Sequence, residues 1–138
     1  MGCPPGQSGW LVHLCDPSTR IDPHVLLHEN SVSTSQQTPR GVLGMPCFGH
    51  IIDVVAGEPL KSATAVSVVA ESATASDALS TALLLMGPAR GRDLVKKLAN
   101  VTAVWIAPEG LLQTVTSGPE IRMTSAAQIS LQEALSRH

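Results

Sequence analysis

Asp77 and Thr81 stand one helical turn apart in a stretch that reads as helix, so a carboxylate and a hydroxyl share one helical face. Together they offer two hard oxygen ligands pointing the same way. Magnesium accepts oxygen ligands in octahedral geometry, commonly one or two protein groups with phosphates and waters completing the shell. The same residues admit a structural reading. Thr74 and Asp77 could form a variant capping box, with Asp77 favoured by the helix dipole and Thr81 an ordinary polar position. Asp77 is also the sole ionisable side chain between Ser72 and Gly87. A solvated helix face usually carries several Lys or Glu residues. The helix is therefore expected to be buried on most sides, with Asp77 in need of a partner, because an unpaired buried carboxylate is costly.

A second group lies at His50-Ile51-Ile52-Asp53, followed by the turn Gly57-Glu58-Pro59. His50, at the mouth of a strand, could serve as a base or contact a ligand; it could equally be a strand-end side chain hydrogen-bonded to backbone. Thr34-Ser35 and Thr116-Ser117-Gly118 are hydroxyl-rich strand ends that could meet phosphate or ribose, or simply make turns. His13, His24, His28 and His138 show no metal-ligand spacing. Serine-hydrolase chemistry lacks a Gly-x-Ser-x-Gly elbow.

The elements that must position these groups follow from composition and pattern. The chain has 138 residues, enough for one modest core, and 43% of them are hydrophobic. Trp10, Phe48 and Trp105 are its only aromatics, so Ala, Val, Leu and Ile must build that core. With a net charge of -2 and no Lys/Arg cluster beyond Lys96-Lys97, a nucleic-acid partner is not expected. The scarcity of aromatics also argues against base stacking on aromatic platforms. Cys3, Cys15 and Cys47 fit no zinc pattern, and their odd count rules out a complete disulfide framework. Neither a secretory signal nor a myristoylation pattern is visible at the N-terminus, and the longest apolar run is too short to span a membrane.

Strands are expected over 10–15, 25–28, 32–35, 48–55 and 63–70, the second and third joined by a tight turn at Glu29-Asn30. In the strand over 63–70, Val66, Val68 and Ala70 share one face, and Ser67 and Val69 the other. A helix runs from Ser72 to Met86, with Ser72 or Thr74 as N-cap and Gly87-Pro88 as its stop. A second helix follows over 89–98. A hairpin over 102–116 turns at Pro108-Glu109-Gly110, and a final amphipathic helix covers 125–137. This order implies an α+β fold with an antiparallel sheet and packed helices. The chain divides into a lead-in (1–9), a main domain (10–118) and a C-terminal helix (119–138).

As a set, these segments resemble the ApbE family, the FAD:protein flavin mononucleotide transferases. The family carries a run like His-Ile-Ile-Asp-Pro-Arg-Thr-Gly-x-Pro; here it reads His50-Ile51-Ile52-Asp53-Val54-Val55-Ala56-Gly57-Glu58-Pro59. A Val-rich strand and Ala-x-x-Ala-Asp-Ala-x-x-Thr-Ala follow in the family, then Leu-Gly-Pro. Here Ala73, Asp77, Ala78, Thr81, Ala82, Met86, Gly87 and Pro88 fall in matching places, with no gap from His50 to Pro88. Trp10-Leu11-Val12, Asp16-Pro17 and Val32-Ser33-Thr34-Ser35 are similar as well.

The resemblance implies a partial, T-fold-like domain corresponding to the family's C-terminal half. It implies that Asp77 and Thr81 supply oxygens to Mg2+ and that His50 is catalytic near the transferred phosphate. Ile51 would contact flavin through its backbone, with Thr34 and Ser35 also in the flavin site. The implied reaction splits FAD at its pyrophosphate and joins flavin mononucleotide to a Thr or Ser of a target protein. Implied partners are FAD, that target, and a polypeptide carrying the N-terminal half. The alternative is a non-catalytic remnant that binds flavin or another protein. Gln36 stands where the family has Gly, and Val54-Val55-Ala56 replaces Pro-Arg-Thr. Family members are lipid-anchored outside the bacterial inner membrane or cytoplasmic, and the sequence does not choose between them.

Overall fold

The computed structural model describes residues 3–37 and 51–123. Two central strands set the architecture: β6 (Ala65–Ala70) and β7 (Thr102–Ala107), in which every residue is buried. Such runs of Val, Ala and Ile, apolar on both faces, suit strands covered on both sides. They lie in a four-stranded antiparallel sheet of order β3-β6-β7-β8, with β3 (Ser31–Gln36) and β8 (Gly110–Thr116) at its edges. The β7–β8 hairpin turns at Pro108-Glu109, as its sequence predicts, and carries a bulge between Trp105 and Ile106.

The two faces of this sheet bury different partners. Val66, Val68, Ala70, Ala103 and Trp105 pack against Leu83, Leu84 and Val95 of α1 (Ala73–Val95). On the opposite face, Val69, Val104 and Ile106 meet Leu14, Ile21, Val25 and Ile121. That second cluster belongs to a three-stranded antiparallel sheet of order β1-β2-β9, formed by β1 (Trp10–His13), β2 (Pro23–Leu27) and β9 (Ile121–Met123). The result is a helix layer, a four-stranded sheet and a three-stranded sheet, an α+β fold. Each fully buried Val, Leu or Ile contributes about 1.5–3 kcal/mol by leaving water. This apolar sandwich therefore outweighs any single polar contact described below.

β2 and β3 are joined by a short turn at the expected place, and they belong to different sheets. Glu29 adopts φ 57°, and the chain crosses from one sheet to the other. As expected, Gly87-Pro88 ends a first helical segment and a second one follows: Gly87 takes φ 72° and ψ 171°, and helical structure resumes beyond this kink to Val95, the two segments together forming α1. Pro88 needs no N–H at the start of a helical segment, so it suits the restart. One expectation is corrected: the N-terminal half of α1 is not buried on most sides, since Ala73, Thr74, Asp77 and Ala78 are exposed, while Ser76 and Ser80 are buried. Ala and Thr cover a solvated surface at little cost, so the scarcity of charge did not signal burial. The strand expected over 48–55 appears within the described residues as β4 (Ile52–Asp53), which pairs with β5 (Glu58–Pro59). The helix expected over 125–137 lies outside the described residues.

Candidate functional site

The site forms where the first half of α1 crosses the edge strand β3. Along β3, the alternating residues Ser31, Ser33 and Ser35 face the helix. Along α1, Ser76, Asp77, Ser80 and Thr81 form two rows one turn apart. Side chains this small let strand and helix approach closely, and their hydroxyls pair across the seam. Ser76 Oγ donates to Ser31 Oγ at 3.4 Å, and Ser33 Oγ donates to an Asp77 carboxylate oxygen at 3.2 Å. Ser35 Oγ lies 2.8 Å from both Ser80 Oγ and Thr81 Oγ1. Thr34, on the other face of the strand, meets Ser67 Oγ at 2.7 Å.

Asp77 is therefore exposed rather than buried, and its partner is the Ser33 hydroxyl. The capping alternative is removed as well. Ser72 is the N-cap, and its Oγ accepts from the Ala75 N–H at 3.2 Å. The first turn contains no acidic residue, and Asp77 lies beyond Ala75, the position a capping box would use, so it satisfies no free N–H there.

Beside the seam, a cavity of about 750 Å3 opens among Thr34, Ser35, Gln36, Ile51, Thr81 and Cys15. This volume is within the range of small-molecule and cofactor sites, about 300–1,000 Å3. Four of the sequence candidates thus come together: Thr34, Ser35, Ile51 and Thr81 line one cavity, with Asp77 one turn along the helix. His50 lies outside the described residues; it is covalently joined to Ile51, which the structure does describe. The other hydroxyl-rich strand end is structural. Ser117 Oγ donates to the carbonyls of Leu98 and Val101 at 2.7 and 2.8 Å, locking the end of β8 to the loop before β7.

Two neighbouring side chains were not apparent from the sequence. Cys15 Sγ donates to Gln36 Oε1 at 2.9 Å on the cavity wall. Burial pushes the Cys15 thiol above its ordinary value, and the adjacent Asp16 carboxylate adds to the effect. Gln37 is fully buried, and its amide is bonded to Ile51 and Leu60. The N–H and carbonyl of Ile51 are both engaged in this way. A backbone contact from Ile51 to a ligand would have to share them. Asp53 serves the hairpin turn: its Oδ1 accepts from Val55 N–H at 2.9 Å and Ala56 N–H at 3.2 Å.

Among the described residues, no group of three or more His, Cys, Asp or Glu could hold a metal. That donor set does not suit zinc, which favours several nitrogen or sulfur ligands. One carboxylate and one hydroxyl do suit magnesium, which keeps waters and substrate phosphates in its shell. No helix among the described residues is long and apolar enough to cross a membrane.

The fold and this oxygen-rich seam define an α+β domain with a ligand-sized cavity at a sheet edge. The model of the ApbE family matches residues 1–105, and the chain belongs to that family. Its fold is similar to that of the flavin transferase ApbE from Vibrio cholerae, with a TM-score of 0.51 and 21% sequence identity. The similarity covers 88% of this chain and 37% of the Vibrio cholerae protein. No curated protein sequence matches significantly.

Proposed function

We propose that this chain forms one wall of an FAD:protein flavin mononucleotide transferase site. The observation that supports it is the seam itself: Ser33 and Ser35 hold Asp77 and Thr81 beside a cavity large enough for a cofactor. In this reading Asp77 and Thr81 hold magnesium, which when bound neutralises pyrophosphate charge. Thr34, Ser35 and Ile51 line the flavin pocket, and His50 acts near the transferred phosphate. The acceptor hydroxyl of a target Thr or Ser forms a new bond to the phosphorus of the flavin mononucleotide half. The pyrophosphate P–O bond breaks, AMP departs with the bridging oxygen, and the hydroxyl proton passes to a base. The chain spans 37% of the length of the Vibrio cholerae transferase; in this reading the other walls of the site come from residues corresponding to the rest of that length, those of the N-terminal half.

One observation favours a second reading, a non-catalytic flavin-binding or protein-interaction module. Gln36, where the family has Gly, lines the cavity, and its side chain accepts a hydrogen bond from Cys15.

The test is to titrate the full chain with FAD, with and without Mg2+, and to follow AMP release once a polypeptide carrying the N-terminal half and a protein with an acceptor Thr or Ser are added. The transferase reading expects Mg2+-dependent binding that Asp77→Ala abolishes, and AMP release in the mixture. Binding without AMP release supports the module. FAD binding indifferent to Mg2+ and to Asp77→Ala would sink the metal assignment.

A further inference from the structure

We infer that Gln37 is a positioning residue for the flavin pocket, its side-chain amide clipping the Ile51 backbone onto the end of β3; this rests on the flavin reading above. Gln37 is 0% exposed. The other buried polar side chains among the described residues are hydroxyls, so this is the one buried amide. A buried amide is tolerated only when its donors and acceptor are satisfied. Here all are: Oε1 accepts from Ile51 N–H at 2.8 Å, and Nε2 donates to the carbonyls of Ile51 at 3.2 Å and Leu60 at 2.7 Å. Toward Ile51, the side chain offers one acceptor and one donor, as a paired strand residue would.

The hairpin it holds could not hold itself. β4 and β5 have two residues each, and even a longer isolated hairpin is marginal in water. Ile51, Ile52 and Val54 of this segment form one side of the cavity, while Thr34 and Ser35, just before Gln37, form another. Gln37 therefore sets the gap between Ile51 and the Ser35–Thr81 pair. Met has similar length but would leave Ile51 N–H and the Leu60 carbonyl unpaired. Glu would still accept from Ile51 N–H but, when ionised, would turn an oxygen toward two carbonyls; protonation restores a donor.

The experiment compares the full-length wild type, Gln37→Met and Gln37→Glu by FAD titration in Mg2+, with amide hydrogen exchange as a second readout. Gln37→Met is expected to weaken FAD binding about tenfold or more, through the loss of hydrogen bonds that fix the pocket wall. Exchange at Ile51 should accelerate while Val104 and Trp105, in the core, stay protected. For Gln37→Glu, the affinity ratio to wild type should recover as pH falls from about 8 to about 5, since burial raises a carboxyl's pKa. The neighbouring charged and thiol groups, Asp53, Glu58, Lys61 and Cys15, are the same in both proteins and cancel in that ratio. A folded Gln37→Met that binds FAD as wild type does, or a Gln37→Glu ratio independent of pH, overturns the inference alone. If Gln37→Met does not fold, the Gln37→Glu profile decides. A wild type that binds no FAD, even with a polypeptide carrying the N-terminal half added, overturns the flavin reading itself, and this inference with it.

Discussion

Ser35 Oγ lies 2.8 Å from Thr81 Oγ1, across the seam where the edge strand β3 meets helix α1. One turn earlier the same seam is closed by Ser33 and Asp77. The two candidate metal ligands are thus each oriented by a strand hydroxyl, and each keeps lone pairs for a second partner.

Asp77→Ala separates function from fold. Asp77 is exposed and makes one long hydrogen bond, while Ala is the better helix former, so stability should change by no more than about 0.5 kcal/mol. FAD affinity in Mg2+ should nevertheless drop by about tenfold or more, as expected for loss of a charged ligand. A denaturant midpoint beside a Mg2+-dependent FAD titration checks both halves.

Asp16 governs an acid transition instead. Burial alone would raise its pKa. The Ser18 hydroxyl and the backbone N–H groups of Ile21, Asp22 and Ser18 outweigh that and hold it below the ordinary carboxylate value. A folded pKa below the unfolded one stabilises the fold above the unfolded value and is lost as pH falls through the folded one. Asp16→Ala should destabilise by about 1–3 kcal/mol at neutral pH, the range for losing hydrogen bonds to a charged group. The difference from wild type should shrink below about pH 4, the ordinary aspartate range. Urea unfolding of both proteins from neutral to acid pH measures it; a constant difference would contradict the assignment.

The fold was largely legible where local pattern and tertiary role agree. Alternation in Val66-Ser67-Val68-Val69 foretold which side chains face α1 and which face the second sheet. Pro108-Glu109-Gly110 marked the β7–β8 turn. Pattern failed where the decisive contact is distant. Gln37 reads as a loop residue until Ile51 and Leu60, 14 and 23 positions away, come to it. It held at Gly87-Pro88, where the helix-stopping pair separates two helical segments. Of the candidate site, spacing and resemblance brought Thr34, Ser35, Ile51 and Thr81 to one cavity. The hydroxyls opposite them on β3 were visible in the sequence only as an unremarked alternation of serines.

Gly87→Ala tests the kink. No atom stands within 4 Å of where its Cβ would go, so crowding is not the issue. Its φ of 72° with ψ of 171° is a backbone region open essentially to glycine alone. The substitution should cost about 1–3 kcal/mol, read as a lowered urea midpoint. An unchanged midpoint would mean that the helix can straighten without loss.

Gly91→Ala probes the same helix through the opposite cause. Here the backbone is ordinary, but a Cβ would come 2.6 Å from Trp105 Cζ2 and 3.2 Å from Leu83 Cδ2. Trp105 cannot easily withdraw: it is fully buried, and its Nε1–H donates to the Leu83 carbonyl at 3.3 Å. Replacing Gly by Ala in a helix normally stabilises by up to about 1 kcal/mol. Overpacking a dense core costs about 1–3 kcal/mol. The packing cost should win, giving a net destabilisation of roughly 1–2 kcal/mol. Because Trp105 must shift, its fluorescence should change in the folded state. A stabilised Gly91→Ala protein with an unaltered Trp105 signal would show that α1 can move off the sheet at that point without strain.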